Sequence, residues 1–332
     1  RSTATLAPPE RSPLMKKWFK TLATTCAIIP LAQCALIPGN SMAAEPAAQV
    51  APAEPAATQP AVVDADPALW VVKDEDTTIY LFGTIHALKP GLSWFDEAVK
   101  DAFDTSDQLM LEIVLPEDQA EMAKLTLPLA IDPDGKTLSS RLTPEDREAY
   151  EAAMTKLGVP PAQFEMFEPW FAALTLSVLP LVQVGYHPDQ GAEKQLTSFA
   201  KTSNKPVAGL ETVEQQLGLF DSLPEDQQVA FLNAVVKDID NLGLTLDTLV
   251  EQWSNGDPDA LAATMNDSLA ATPELAEALL YRRNANWADQ IRARMDEPGT
   301  VFIAVGAGHL AGKRSVQDYL EERGLTVTRV EY

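Results

Sequence analysis

Cysteine is all but missing from this 332-residue sequence: Cys26 and Cys34 are the two present, and both lie in a basic-then-apolar stretch near the N-terminus. A chain that has lost that stretch can hold neither a disulfide nor a thiolate metal site. Histidine is nearly as scarce, with three in the chain. Lys and Arg number 25 against 48 Asp and Glu, a formal net charge of −23. Binding nucleic acid or an anionic membrane surface depends on Lys and Arg displacing counterions, so neither partner is expected. The acidity itself is ordinary solubility chemistry. Also missing is an uninterrupted apolar run of about twenty residues, the length that spans a bilayer. The longest candidate is broken by Pro30, Gln33 and Pro38.

That candidate reads as a signal peptide over 15–43. Met15 opens a run with Lys16, Lys17 and Lys20, the apolar stretch Leu22 to Leu36 follows, and Ser41 and Ala43 suit a cut before Ala44. Residues 1–14 are then an upstream extension. The product is expected in the periplasm or outside the cell, without a stable membrane span. A second reading takes Leu31-Ala32-Gln33-Cys34 as a lipobox with a lipid anchor at Cys34, although Gln33 stands where a small residue is expected. Removing residues 1–43 takes away five basic residues and one acid, moving the net charge from −23 to −27. Residues 44–68, rich in Ala, Pro, Gln and Glu, cannot bury enough apolar surface to offset their ordering entropy and read as a disordered linker.

From Leu69 the pattern changes. Leu69 to Lys73 and Thr77 to Thr84 read as a β-hairpin around Asp74-Glu75-Asp76, followed by a helix from Ser93 to Phe103 and a strand from Gln108 to Val114. Pro116 opens an acidic helix, and helices dominate Pro144 to Leu181, where Phe164, Phe167, Trp170 and Phe171 supply core aromatics. Lys205 to Leu210 is a short strand before a helix from Val213 to Leu223. A long helical stretch, Pro224 to Met295, is broken at Gly243, Gly256-Asp257-Pro258 and Pro273. The chain closes with a strand Thr300 to Val305, a helix Lys313 to Arg323 and a strand Thr326 to Val330. The pattern predicts an α/β domain over 69–332: a central mixed sheet of N- and C-terminal strands with a large helical insertion between them.

Two strands end in the same way, Gly83-Thr84-Ile85-His86 and Gly306-Ala307-Gly308-His309. Ligands of open α/β sheets sit beyond the carboxyl ends of the strands, and glycine there lets the backbone turn and a substrate approach closely. Gly83, Thr84, Gly306 and Gly308 are therefore candidates for lining a substrate site. Glu112, in an otherwise apolar strand, is costly to bury unless a cation or donor meets it. Glu211 stands at another strand end and serves either function or helix capping. His86, His309 and Glu112 together are a plausible ligand set for a divalent metal such as Mn, Co or Zn, whereas a lone histidine would read as a satisfied core residue. Arg283 could hold Glu112 or a substrate carbonyl oxygen, and Asn284 beside it is a further candidate for binding substrate. His187, before Pro188, reads as a surface loop residue.

Leu-Phe-Gly-Thr-Ile-His (81–86), Leu-Glu (111–112), Glu-Pro-Trp (168–170), Lys-Pro-Val-Ala-Gly-Leu-Glu-Thr (205–212), Arg-Arg-Asn (282–284) and Val-Gly-Ala-Gly-His-Leu (305–310) together resemble the TraB/GumN family. The resemblance implies a superfamily shared with Tiki proteases, pheromone-shutdown proteins and erythromycin esterases, whose proposed centre is two histidines and a glutamate. Those roles fall on His86, His309 and Glu112, with Glu211, Arg283 and Asn284 in matching segments. The expectation is a metal-dependent hydrolase of a peptide or other acyl substrate, with His86 and His309 as ligands, Glu112 as ligand or general base, and Arg283 stabilising negative charge. The alternatives are a metal-free, esterase-like hydrolase and a protein that sequesters a peptide or small ligand without turnover.

Overall fold

The computed structural model describes residues 62–269 and 276–331. The expected signal peptide, Cys34, linker residues 44–61 and Pro273 lie outside the described residues. Two two-residue strands, β1 (Val63–Asp64) and β4 (Leu92–Ser93), form a small parallel pair. The main sheet has six strands: β2 (Leu69–Lys73), β3 (Thr77–Thr84), β5 (Gln108–Leu111), β6 (Val207–Gly209), β7 (Gly299–Gly306) and β8 (Val327–Arg329), in the order β6-β5-β7-β3-β2-β8. Around it lie α1 (Glu97–Thr105), α2 (Gln119–Ala130), α3 (Pro144–Leu157), α4 (Pro169–Gln183), α5 (Ala192–Thr202), α6 (Val213–Asp221), α7 (Glu225–Asp238), α8 (Leu242–Ser254), α9 (Pro258–Leu269), α10 (Arg282–Arg294) and α11 (Val316–Glu322). The fold is the expected mixed α/β sheet, closed by strands from both ends of the domain.

The β2–β3 hairpin is antiparallel, and its turn is tied by the Asp74 carboxylate, which accepts from the backbone N–H groups of Asp76 and Thr77 at 3.2 and 2.9 Å. Strand alternation then sorts side chains to two faces. Ile79, Leu81, Val301, Ile303 and Val305 point to one face, against Trp287 and Ile291 of α10 and Val316 and Leu320 of α11. Phe82, Leu109, Phe302 and Ala304 point to the other, against α1, α5 and α8 through Phe103, Leu196 and Trp253. The helical insertion has a separate core around α4, whose residues are apolar on nearly every side, as a helix surrounded by others requires. Among the described residues no helix is long and apolar enough to cross a membrane.

Several boundaries depart from the expected ones. Residues 62–68 fall in the expected linker, yet Val63–Asp64 pairs with Leu92–Ser93 and Ala65 is buried. That pairing draws Ser93 into a strand, and α1 starts instead behind Asp96, to which the Ser93 hydroxyl donates. The helix after Pro116 starts at Gln119, where Asp118 caps it by accepting from the Ala120 N–H at 2.9 Å. Gly243 opens α8 rather than breaking a helix, whereas Gly256-Asp257-Pro258 does separate α8 from α9. The last helix begins at Val316, capped by Ser315.

What matters for function is the register. β3 and β7 run parallel with Gly83 opposite Val305 and Thr84 opposite Gly306. β5 runs parallel to β7 with Leu111 opposite Ala304, and β6 parallel to β5 with Gly209 opposite Leu111. Four neighbouring strands therefore end at one edge of the sheet. His86, His309, Glu112 and Glu211 all follow from those ends.

Candidate active site

His86 lies two residues beyond β3, in a loop clamped from the chain 100 residues downstream. His187 and Leu88 exchange backbone hydrogen bonds at 3.0 and 3.4 Å, and the Ala192 N–H donates to the Ile85 carbonyl at 3.0 Å. Gly191 allows this approach: a Cβ there would stand 2.1 Å from the His86 carbonyl oxygen, so no side chain fits. The first turn of α5 is thus docked on the His86 loop. It brings Glu193 Oε1 to 2.5 Å from His86 Nδ1, with the N–H direction poorly aligned, and the Thr84 hydroxyl donates to the same oxygen.

His309 sits in a 3-10 turn, Ala307–Leu310, at the end of β7 and is fully buried. Its Nδ1 is 2.5 Å from Asn284 Oδ1, while Asn284 Nδ2 donates to the Arg314 carbonyl at 2.8 Å. This assignment makes Nδ1 the protonated nitrogen and leaves the Nε2 lone pair to accept from Arg283 Nη1 at 3.2 Å. Trp287 packs on the imidazole with ring centroids 4.4 Å apart.

Glu112 is the hub. Its Oε1 accepts from the Gly306 N–H at 2.7 Å, and its Oε2 accepts from Arg283 Nη2 at 2.7 Å and Gln216 Nε2 at 2.9 Å. Arg283 also grips Glu211, from Nε at 3.0 and 3.1 Å and from Nη2 at 2.9 Å, and Trp287 Nε1 donates to Glu211 at 3.0 Å. A π-helical turn, Glu277–Tyr281, leads into α10, and Arg283 Nη1 donates back to its Leu279 carbonyl at 3.0 Å. Such turns recur at functional sites because they re-aim the side chains that follow.

Burial pushes the Glu112 carboxyl up, but Arg283 first, then His309 and His86, and the Gly306 N–H outweigh it and hold it lowered to about 2. Burial pushes His309 down to about 3; Glu112 opposes this, while Arg283 and His86 reinforce it. His86 goes the other way. Burial lowers it, as Arg283 does to a smaller extent, but Glu193 first and then Glu112 together outweigh this, so it is raised. The two histidines of the repeated motif are therefore chemically distinct: one stays neutral, the other is a proton acceptor beside an acid.

The structure brings His86, His309, Glu112, Glu211, Arg283, Asn284 and Gly306 together. The point where a side chain on Gly306 would begin lies 3.1 Å from Glu112 Oε1, 3.4 Å from His86 Nε2 and 3.7 Å from His309 Cδ2. Gly83 lies further back. A Cβ there would press on Ala307 at 3.1 Å, and its carbonyl accepts from Trp253 Nε1 at 2.7 Å. Thr84 is buried with its hydroxyl on Glu193, and Gly308 is buried in the 3-10 turn. His187 is exposed. Glu168 and Trp170 belong to the helical core, where Gln228 Nε2 donates to Glu168 at 3.0 Å. Sequence reasoning missed Glu193, Gln216 and Trp287. Gln216 had a readable signal, since Val213, Gln216, Leu217 and Phe220 form the buried face of α6 and an amide there is out of place.

Two imidazoles and a carboxylate suit Mn, Co or Zn by donor type. His86 Nε2 is buried with no hydrogen-bond partner among the described residues, as an atom awaiting a ligand would be. His86 Nε2 and Glu112 Oε1 both face the Gly306 backbone, where no side chain intervenes. Among the described residues, however, no three His, Cys, Asp or Glu side chains are drawn together closely enough to cage an ion. Arg283 instead meets the His309 Nε2 lone pair. The residues fit the group by donor type.

The chain resembles several known proteins along most of its length. The chain is similar to the protein YbaP of Escherichia coli (strain K12), 25% identical over 254 residues that cover 76% of this chain and 92% of that one. It is similar to metalloprotease TIKI1 of Homo sapiens, 23% identical over 78% of this chain and 61% of that protein. It is also similar to metalloprotease TIKI2 of Danio rerio, 24% identical over 78% of this chain and 60% of that one. No solved structure matches. Residues 68–329 match the model of the TraB/PrgY/gumN family, and the chain belongs to that family.

Proposed function

We propose that the chain is an exported, metal-dependent hydrolase that cleaves a peptide or another acyl substrate at His86, Glu112, His309 and Arg283. The observation that carries this reading is the convergence of Glu112 Oε1, His86 Nε2 and the His309 ring on the open backbone of Gly306. The relatives named metalloproteases support the substrate class, and the basic-then-apolar pattern from Met15 to Ala43 supports export. A divalent ion held by His86, Glu112 and His309 supplies Lewis-acid polarisation of a carbonyl and a more acidic water. The chain supplies the rest. Glu112, held near 2, is a poor proton acceptor and a good permanent anion, which suits a ligand better than a general base. Arg283 stabilises developing negative charge, and Asn284 fixes the His309 ring so that Nε2 faces inward.

One observation favours a second reading. Arg283 already caps His309 Nε2, so the centre is electrostatically complete without a metal, with His86 as the general base backed by Glu193. Turnover on panels of peptides and esters separates the two readings. The leading one expects activity that a chelator abolishes, that Mn, Co or Zn restores, and that His86→Ala lowers by about a hundredfold or more. Activity that survives chelation supports the second. Ligand binding with no turnover would overturn both.

A further inference from the structure

We infer that Glu193 is the positioning residue of the site: it holds the His86 ring in the tautomer and orientation that turn Nε2 toward Glu112 and His309. The inference rests on His86 being a working group of the proposed centre. Glu193 stands in the first turn of α5, which packs against the His86 loop through the Gly191 approach and the Ala192-to-Ile85 hydrogen bond. Its Oε1 faces His86 Nδ1 at 2.5 Å. A second donor pins that oxygen, since the buried Thr84 hydroxyl points to it from the last residue of β3. The carboxylate is thus anchored to the same strand end that launches His86. An anion beside Nδ1 draws the ring proton there, and the lone pair is then on Nε2. Neither ring nitrogen makes a well-aligned hydrogen bond, but Nδ1 has the Glu193 oxygen at 2.5 Å, whereas Nε2 lies on the Gly306 side, 3.4 Å from where a Gly306 side chain would begin.

The two histidines are oriented by different means for the same end. His309 Nδ1 is met by the amide of Asn284, and His86 Nδ1 by the carboxylate of Glu193. A carboxylate behind an imidazole raises the basicity of the far nitrogen more than an amide does. His86 is accordingly the stronger donor or base of the pair. Glu193 does not reach the reacting atoms; it acts through His86.

Nitrogen NMR of histidine-labelled protein tests this directly, because the chain has three histidines to resolve. Spectra are recorded at the alkaline end of the His86 titration, where the ring is neutral. The wild type is expected to carry the proton on Nδ1. Glu193→Gln, whose amide oxygen still accepts, is expected to keep it there, and Glu193→Ala to release it toward Nε2. Calorimetric titration with Co2+ alone is expected to show affinity about 10- to 100-fold weaker in Glu193→Ala than in wild type, with Glu193→Gln between them. Should the alanine variant fail to fold, Thr84→Val removes the second anchor and carries the same measurement, with the proton shifting partway. A wild-type proton on Nε2, or a tautomer unmoved by Glu193→Ala, overturns the inference. If Co2+ does not bind even the wild type, the metal reading fails, and the tautomer still decides the role of Glu193.

Discussion

Arg283 answers two carboxylates at once, the buried Glu112 at 2.7 Å and the partly buried Glu211 at 2.9 to 3.1 Å. Glu112 is buried away from solvent, so the guanidinium holds the site together as well as polarising it. Removing one partner of a buried pair strands the others. Arg283→Leu is expected to lower the unfolding free energy by about 3–5 kcal/mol in urea titrations, and a change under about 0.5 kcal/mol would mean that the acids are solvated. At this scale the centre was largely legible. A doubled Gly-x-x-His motif and a Glu inside an apolar strand are chemically odd wherever they occur. Glu193 was not legible, because a glutamate in the first turn of a helix reads as ordinary dipole chemistry. Its meaning comes from what α5 docks against.

Elements set the geometry through parallel register, and one glycine controls how closely two of them meet. Gly191→Ala would place a methyl 2.1 Å from the His86 carbonyl oxygen and 2.6 Å from its carbon, both backbone atoms. The loop or the helix must retreat. The expected result is a loss of about 1–3 kcal/mol in stability together with loss of the His86–Glu193 contact, read by denaturant titration and by the histidine NMR spectrum. An unchanged variant would show that α5 is free to move away. Strands β2, β3 and β7 could be read from their β-branched and aromatic runs. β4 could not. Its partner Val63–Asp64 lies in a stretch whose composition looks disordered, and pairing across that distance leaves no local trace.

The pH dependence of the whole molecule follows from its buried acid and imidazoles. His309 falls from 6.5 to about 3 on folding, so the unfolded chain binds its proton first and stability declines as pH drops from 6.5 through 3. Glu112, lowered from 4.5 to about 2, adds a second decline from 4.5 through 2. His86 has the opposite sign: raised on folding, it stabilises below 6.5, and that contribution fades as pH rises through its folded value. Urea titrations against pH should therefore show a steeper acid limb for wild type than for His309→Gln between 6.5 and 3, and parallel curves would place His309 in contact with water. The mixed α/β architecture was readable from strands separated by helices, whereas the convergence of four strand ends required the sheet order itself.

The proposed two-histidine, one-glutamate centre would hold a divalent ion at the strand ends. Elemental analysis of wild type beside His86→Ala, both purified without chelator, tests it most directly. About one equivalent of divalent ion is expected in wild type, with its loss in a His86→Ala protein that still folds. A wild type without stoichiometric ion, whose stability Mn, Co and Zn leave unchanged, would contradict it.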